Sequence, residues 1–300
     1  MRAVITGASG FVGRHLRAHL ESQGDEVISV DLPTDVADYD AMREVFAASA
    51  PEVIFHLAAL AHVGASWGNP SAVIHVNVEG VGATLAAARD AAPSATVLFV
   101  SSAEVYGIVN ASEMPITEAH AVTPASPYAV SKAAAELFAT HAVRAFGQRV
   151  VIARPFNHIG PGQAPTFFVP AMVQRLLEAK EQGRTEIPVG VLTTRRDFTD
   201  VRDVVRAYRA LALHGQAGEI YNVASGKDYA MSDIADQIRG EIFPEARFEQ
   251  DPQLVRPVDV PVLRGDTRRL RAATSWEPEI SLATSVADII ADGRARWGVN

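Results

Sequence analysis

Short runs of apolar residues alternate with helical patterns through the first half of this 300-residue chain, and this alternation restricts the fold more than any other feature. The runs are RAVIT at 2–6, EVISV at 26–30, PEVIFHLAA at 51–59, ATVLFVSS at 95–102 and QRVVIARP at 148–155. Strands that are rich in valine and isoleucine and lack polar alternation are typical of parallel sheets covered on both faces. The sequence therefore predicts an α/β fold with a doubly wound parallel sheet of the Rossmann type.

The second half of the chain is less regular. Helical patterns occur near 169–183, 200–213, 231–241 and 282–297, and strand-like pieces near 187–190 and 219–223. Prolines and glycines cluster between residues 155 and 170. We therefore expect a dinucleotide-binding domain at 1–160 and a smaller C-terminal α/β lobe at 161–300. The segment GEIYNVAS is a candidate to cross back into the first sheet.

Composition argues against several classes of function. The net charge of −8 argues against a general affinity for nucleic acid or acidic membranes. Cysteine is absent, which excludes disulfides and thiolate catalysis, and the histidines lack metal-ligand spacing, so no metal is expected. No stretch approaches 18 uncharged apolar residues, and the first residues enter a strand pattern at once, without a signal peptide. We expect a cytoplasmic protein that does not span a membrane.

Three glycines lie between the first predicted strand and the first predicted helix: Gly7, Gly10 and Gly13 in VITGASGFVG. Glycine allows a tight turn and lets a diphosphate approach backbone N–H groups, while the helix N-terminus adds donors and a favourable dipole. A tight strand–helix turn alone would also favour glycine. At the start of an alternating α/β chain, however, the spacing G-x-x-G-x-x-G predicts dinucleotide binding.

Asp31 ends the second predicted strand. A carboxylate there can accept hydrogen bonds from the adenosine ribose and would repel a 2′-phosphate, so NAD(H) is the preferred cofactor. NADP(H) stays possible because Arg14 or Arg17 could help to bind a phosphate, and Asp31 could also be an ordinary loop residue. Asp35, which Val36 follows, is a weaker candidate for an adenine contact.

A tyrosine and a lysine stand four positions apart in SPYAVSKAAAE, at 126–136. Tyr128 and Lys132 would share one helix face, which could simply be solvated. A nearby ammonium would instead lower the pKa of the phenol and make Tyr128 a usable general acid or base. Ser102, at the end of a predicted strand, could hydrogen-bond the same substrate oxygen. Together the three residues predict reduction of a carbonyl or oxidation of an alcohol, with nicotinamide carrying the hydride.

These motifs resemble those of the extended short-chain dehydrogenase/reductases, the NAD-dependent epimerase/dehydratase family of nucleotide-sugar enzymes. The resemblance covers nearly the whole chain and rests on TGASGFVG, HLAA, NVEG, SSAEVYG, SPYAVSK, RPFNHIGPGQ, RRDFTDVRDVVRAY, GEIYNVASG and RPVDVPVLRGD. It implies that Ser102, Tyr128 and Lys132 are catalytic. It also implies cofactor contacts from Gly7, Gly10, Phe11, Val12, Gly13, Asp31, Asp35, Val36, Leu57, Ala58, Ala59, Asn77, Tyr128 and Lys132.

Within the family, the segments RPFNHIGPGQ, FFVPAMVQRL and RPVDVPVLRGDTRRL most resemble reductases that convert GDP-4-keto-6-deoxy-D-mannose to GDP-D-rhamnose. The resemblance implies hydride transfer from NAD(P)H to C4, with Tyr128 protonating the oxygen. Dehydratases often place an acid and a glutamate after the catalytic hydroxyl. Here Ala103 cannot donate a proton, and Glu104 could be a base, a substrate contact or a plain strand-end carboxylate. The alternatives are a UDP- or dTDP-hexose 4-epimerase, a 4,6-dehydratase, or a non-catalytic NAD(H)-binding sensor.

The resemblance also implies contacts to a nucleotide sugar, with GDP favoured and UDP or dTDP possible. Arg196 and Arg256 match positions that contact the diphosphate, Asn157 matches a sugar-phosphate contact, and Phe168 and Val169 lie where the family binds base and ribose. Arg196 could instead pair with a neighbouring carboxylate: Asp197, Asp200 or Asp203. The alanine-rich helices 70–91 and 127–146 imply a homodimer through a four-helix interface, although internal packing would use the same pattern.

Overall fold

The computed structural model describes residues 1–254 and 260–297. The strands are β1 (Arg2–Thr6), β2 (Glu26–Val30), β3 (Val53–His56), β4 (Thr96–Val100), β5 (Arg149–Pro155), β6 (Asn157–Ile159), β7 (Glu186–Val189), β8 (Arg195–Asp200), β9 (Ile220–Val223), β10 (Asp228–Ala230), β11 (Arg247–Gln250) and β12 (Val262–Leu263). The α-helices are α1 (Phe11–Ser22), α2 (Tyr39–Ser49), α3 (Val63–Ser66), α4 (Pro70–Ile74), α5 (Gly80–Ala91), α6 (Pro127–Phe146), α7 (Phe168–Glu181), α8 (Val201–His214), α9 (Met231–Ile242), α10 (Arg268–Thr274) and α11 (Leu282–Trp297). A π-helical segment, His75–Glu79, joins α4 to α5, and a 3-10 turn follows β4 at Ala103–Tyr106.

The main sheet has six parallel strands in the order β2–β1–β3–β4–β5–β9. The order reverses between β1 and β3, as in a Rossmann-like doubly wound sheet, which confirms the predicted fold class. Ligands in such sheets bind outside the carboxyl ends of the strands, at this reversal. We therefore expect the ligand site at the loops that follow β1, β3 and β4.

Apolar residues cover both faces of the main sheet. On one face α1 and α8 pack Leu16 and Tyr208 against the strands, and on the other α2 and α5 contribute Phe46 and Leu85. These side chains are almost entirely removed from solvent, which accounts for the lack of polar alternation in the strand sequences.

The sixth strand comes from the second half of the chain. β9 lies in the segment GEIYNVAS and pairs in parallel with β5, with Ala153 opposite Tyr221. The helix α8 before it packs on the same sheet. The crossing that the sequence suggested is therefore present, while the division of the chain at residue 160 stays a prediction.

The remaining strands form smaller sheets. β8 is antiparallel to β10 and parallel to β6 and β12, and β7 pairs in parallel with β11. The helices α7, α9 and α11 pack beside them around a separate apolar core that includes Val173, Leu176, Ile238 and Ile289. This assembly is the smaller α/β part that the sequence predicted.

By length and composition, one helical stretch within the described ranges, Pro70–Ala91, is apolar enough to cross a membrane. Its α5 part packs against α2 and α6, and 44% of its apolar window is buried inside the protein. A core helix of a globular protein passes the same test, so the stretch is weak evidence for a membrane span.

Candidate active site

Gly7 and Gly10 lie in the loop between β1 and α1, and Gly13 lies in the first turn of α1. Close backbone contacts constrain Gly7 and Gly13. Gly7 has φ +73, and an added Cβ would lie 2.9 Å from the backbone nitrogen of Ala58. A Cβ on Gly13 would lie 2.2 Å from the Gly7 carbonyl oxygen, so α1 starts directly against the loop. Gly10 is the N-cap of α1. The result is a close-packed turn that opens into a helix N-terminus, which fits the diphosphate of a dinucleotide.

Asp31 lies beside this loop. Its carboxylate accepts hydrogen bonds from the backbone nitrogen of Ser9, at 2.9 and 3.0 Å, and from the Ser9 hydroxyl at 2.9 Å. The two arginines considered as phosphate ligands have other contacts. Arg14 donates to the carbonyls of Ser9 and Gly162, and Arg17 pairs with Glu21. Asp31 therefore gives the loop a negative edge.

Other predicted cofactor contacts surround the loop. The ring of Phe11 stacks on His158, with centroids 6.2 Å apart. Val36 is buried against Gly80 of α5. Asp35 accepts hydrogen bonds from Ala37 and from His75 of the π-helical segment. Leu57, Ala58 and Ala59 continue directly from β3 as irregular backbone, so the strand is shorter than the nine residues that its sequence predicted.

Asn77 is fully buried in the π-helical segment. Its amide donates to the Ser131 hydroxyl at 2.9 Å and to the Leu60 carbonyl at 3.3 Å, and it accepts from the Leu60 nitrogen at 2.8 Å. The side chain thereby joins the loop after β3 to the helix that carries Lys132. Asn77 therefore links these two segments, and its contact with a cofactor stays a prediction.

Ser102, Tyr128 and Lys132 come together at the carboxyl end of β4. Ser102 begins the 3-10 turn after this strand. Ser126 caps α6 by accepting from the nitrogen of Ala129 at 3.1 Å, and the proline at the first helical position is preorganised for the turn. Tyr128 therefore lies in the first turn of α6 and Lys132 one turn further on, where its ammonium donates to the Val100 carbonyl at 2.8 Å.

The charge states of this group differ from the sequence-based expectation. The pKa of Tyr128 is raised to about 12, mainly by burial. A hydrogen bond with Ser102 acts against this rise, and the negative charge of Glu104 adds to it. Burial lowers the pKa of Lys132 to about 8, against the effect of Glu136. The expected lowering of the Tyr128 pKa is wrong for this structure, because burial dominates and the ammonium is directed at the Val100 carbonyl. The phenol is thus protonated at neutral pH.

A cavity of about 340 Å³ opens next to Ser102 and Tyr128. It is lined by residues from both halves of the chain, including all the predicted substrate contacts within the described ranges: Ser102, Glu104, Asn157, Phe168, Val169 and Arg196. Arg256 lies outside the described residues. The cavity also has walls that sequence reasoning missed, namely the 189–192 segment, Met172 and Arg175. The 189–192 segment lies at the end of β7 and directly after it, and Met172 and Arg175 belong to α7. The glycine in PVGVLTT at 188–194 was the one local sequence signal for a loop after β7.

Arg196 is nearly buried in the cavity wall, and one of its amino groups donates to the carbonyls of Arg195 and Val260. The carboxylates that the sequence offered as alternative partners are bound elsewhere. Asp197 accepts from Ser225, Gly226 and Gly265; Asp200 pairs with Arg202; Asp203 pairs with Arg206. Arg196 also lines the cavity.

Comparison with known proteins agrees with this site. The model of the NAD dependent epimerase/dehydratase family matches residues 3–224. The chain is 34% identical to a GDP-6-deoxy-D-mannose reductase of Pseudomonas aeruginosa over 98% of each chain.

Among solved structures, RMD from Pseudomonas aeruginosa complexed with NADPH has a TM-score of 0.90 at 34% identity, over 98% of this chain and 99% of that one. UDP-glucose 4-epimerase of Thermus thermophilus in complex with NAD has a TM-score of 0.87 at 25% identity, over 99% and 100%. The family model covers well over half of the sequence. The chain therefore belongs to the NAD-dependent epimerase/dehydratase family of enzymes.

Proposed function

We propose that this enzyme reduces the C4 carbonyl of GDP-4-keto-6-deoxy-D-mannose with hydride from NAD(P)H and releases GDP-D-rhamnose. The observation that carries the proposal is the 34% identity to a GDP-6-deoxy-D-mannose reductase over 98% of each chain. The presence of Ala103 next to Ser102 supports it. The chemistry of the cavity supports the same reaction.

Ser102 and Tyr128 both line the cavity, so one carbonyl oxygen can receive hydrogen bonds from both hydroxyls. Nicotinamide, when bound, supplies the hydride. Tyr128 is protonated at neutral pH, so it can give its proton to the oxygen that becomes an alkoxide. The phenolate that is left behind lies one helical turn from the buried ammonium of Lys132.

Ala103 favours a reductase over a dehydratase. Loss of water from the sugar needs an acid close to the leaving hydroxyl, and the methyl group of this buried residue has no proton to give. Glu104, in the same turn, lines the cavity and can accept a hydrogen bond from a sugar hydroxyl. A C4 epimerase is the second candidate, because oxidation and re-reduction at C4 need the same three residues and the likeness to a UDP-glucose 4-epimerase spans both chains.

The nucleotide part of the substrate would occupy the far end of the cavity. Arg196 supplies a guanidinium for the diphosphate, and we propose Arg256 as a second one on the basis of sequence. Asn157 can donate to the sugar phosphate, while Phe168 and Val169 offer apolar surface to the base and ribose.

We propose NAD(H) as the preferred cofactor because Asp31 faces the loop where an adenosine ribose would bind. Asp31→Ala should raise the ratio of kcat/KM for NADPH to that for NADH by about tenfold, since one repulsive charge is removed. Asp40→Ala, which removes an exposed carboxylate from α2, is the control. An unchanged ratio in Asp31→Ala would remove the basis of this preference.

The deciding experiment follows nicotinamide absorbance when the protein meets NADH and GDP-4-keto-6-deoxy-D-mannose. Stoichiometric loss of NADH with formation of a GDP-6-deoxyhexose supports the reductase. A flat trace, combined with bound NAD and interconversion of a UDP- or dTDP-hexose with its C4 epimer, supports the epimerase. If the protein binds nicotinamide cofactor but converts none of these sugars, a non-catalytic NAD(H)-binding sensor becomes the preferred function.

A further inference from the structure

A second carboxylate lies behind the candidate catalytic residues. Glu136 follows Lys132 by one turn of α6 and is 6% exposed. Its Oε1 accepts from the Ser101 hydroxyl at 2.5 Å and from Nε of Arg154 at 2.8 Å, and its Oε2 accepts from the second guanidinium nitrogen at 2.6 Å. Arg154 is itself 2% exposed, and its guanidinium lies 4.8 Å from the centre of the Tyr106 ring.

This cluster connects the elements that carry Ser102, Tyr128 and Lys132. Ser101 directly precedes Ser102, and Glu136 belongs to the helix of Tyr128 and Lys132. Arg154 lies at the end of β5, and Tyr106 ends the turn that carries Glu104. One carboxylate thus fixes the turn after β4 against α6 and β5.

Stability alone is a weak reason for such a pair. Two charges taken out of water lose hydration that their attraction only partly replaces, and apolar residues of similar size often fold as well or better. A buried pair directly behind the candidate catalytic groups therefore suggests a role in their chemistry.

The electrostatics around Lys132 single out Glu136. Titratable and charged groups reach this region from several elements. They are His56 from β3, Arg154 from β5, Tyr106 and Glu104 from the turn after β4, Glu118 from the segment before α6, Tyr128 and Glu136 from α6, and Tyr208 from α8. Burial keeps the pKa of His56 at about 3, so its ring is neutral. Burial also lowers the pKa of Lys132, and Glu136 is the group that opposes this effect.

We propose that Glu136 is a positioning residue that aligns Ser102 through the hydroxyl of Ser101 and places a carboxylate one helical turn from the buried Lys132. The proposal rests on the proposed function, because it assigns a task to residues that support the catalytic ones. It goes further in naming the group that maintains their geometry and charge.

The charge can be tested without a substrate, because the sequence contains three lysines, Lys132, Lys180 and Lys227. Protein made with [ε-¹³C]lysine gives one signal for each, and Lys132→Met assigns the one of interest. We expect the titration midpoint of the Lys132 signal to fall by about one pH unit or more in Glu136→Gln, which corresponds to a proton affinity about tenfold lower. The signals of Lys180 and Lys227 should titrate as in the wild type.

Asp25→Asn is the matched control. Asp25 is also a buried carboxylate that pairs with an arginine, Arg209, but it precedes β2 at the opposite edge of the sheet. This variant should lose stability without moving the Lys132 midpoint. An unchanged midpoint in Glu136→Gln overturns the electrostatic part of the proposal, whichever sugar the enzyme uses.

Alignment is tested by turnover in Ser101→Ala, which leaves the ion pair intact. We expect kcat to fall by about tenfold, while KM for the nucleotide sugar and Kd for NADH stay within about twofold, because only the reacting geometry is disturbed. If Glu136→Gln does not fold, the double variant Glu136→Leu with Arg154→Met replaces the pair by apolar residues. Wild-type kcat and Lys132 midpoint in that variant would show that the pair is merely structural and would overturn the proposal.

Discussion

Tyr128 combines a solvent-poor environment with an opening into the cavity, and its hydroxyl is the group that a substrate oxygen would meet. Tyr128→Phe removes that hydroxyl and leaves the ring in place. We expect kcat to fall by roughly 10²- to 10⁴-fold, the usual contribution of a positioned acid. The binding of NADH, measured by its fluorescence, should be unchanged. Turnover within twofold of the wild type would exclude Tyr128 as the proton donor.

Lys132 gives a prediction about stability and pH. Its pKa is about 8 in the folded protein and 10.5 without burial, so the unfolded chain binds the proton more tightly between these values. Below pH 8 the buried charge therefore destabilises the fold, by up to about 3 kcal/mol, and this cost is relieved as pH rises from 8 to 10.5.

Lys132→Met should consequently unfold at higher urea concentration than the wild type at pH 7, although it loses turnover. The difference should shrink by pH 10. A variant that is less stable than the wild type at pH 7 would contradict this account, because it would mean that contacts of the ammonium, such as the bond to the Val100 carbonyl, outweigh its desolvation.

At the residue scale, sequence reasoning predicted the groups whose spacing is local. Tyr128 and Lys132 are one helical turn apart, and Ser102 follows the carboxyl end of β4, so the proximity of the three residues follows from the sheet topology. The interaction of Glu136 with Ser101 and Arg154 joins three separate elements. No short motif contains it, because it depends on how α6 packs on β4 and β5.

At the scale of single elements, the start of α1 is the most restrictive feature. A Cβ on Gly13 would meet the carbonyl oxygens of Gly7 and Ala8 at 2.2 and 2.6 Å, and neither backbone group can move without opening the turn. We expect Gly13→Ala to abolish binding of the dinucleotide and to lower the melting temperature by several degrees.

Gly240→Ala is the comparison for this prediction, because Gly240 lies inside α9 with nothing within 4 Å of its added Cβ. That substitution should stabilise the protein by about 0.5–1 kcal/mol, as alanine favours helix interiors. Calorimetry and NADH titration of both variants check the pair. Normal dinucleotide binding by Gly13→Ala would show that the turn is more adaptable than its geometry indicates.

Element bounds show where local patterns fail. The run PEVIFHLAA has the composition of one long strand, yet pairing stops at His56. Beyond it, Ala58 lies against Gly7 and Leu60 is bound by Asn77, so tertiary contacts replace the ladder. The 70–91 helix likewise contains a π-helical segment that its sequence did not indicate. This irregularity carries Asn77, in keeping with the frequent occurrence of such segments near functional sites.

At the scale of the whole molecule, α6 has a row of solvent-exposed apolar side chains on one face. Val130, Leu137 and Phe138 are all about half exposed or more, and Phe138 lies over Gly82 of α5. We propose that this face is covered by the same face of a second copy. Homodimers use such self-complementary surfaces most often.

Leu137→Glu should therefore shift the protein from dimer to monomer in sedimentation velocity, because it places a charge in the proposed interface. Leu213→Glu, on α8, changes an equally apolar exposed residue outside that face and should leave the mass unchanged. A monomeric wild type at micromolar concentration would exclude the dimer.

The late return of β9 to the sheet has a consequence for biosynthesis. While the chain emerges from the ribosome, β1 to β5 can assemble, but β5 presents an open edge until residues 220–223 have left the exit tunnel. Some 65 residues are translated between Pro155 and Ile220, so a nascent chain carries an unpaired, strongly apolar strand for several seconds. The cell's chaperones would meet this enzyme at that stage of synthesis. Only the part of the smaller lobe from β6 to β8 is made in the meantime, because α9 and α11 follow β9 in the chain.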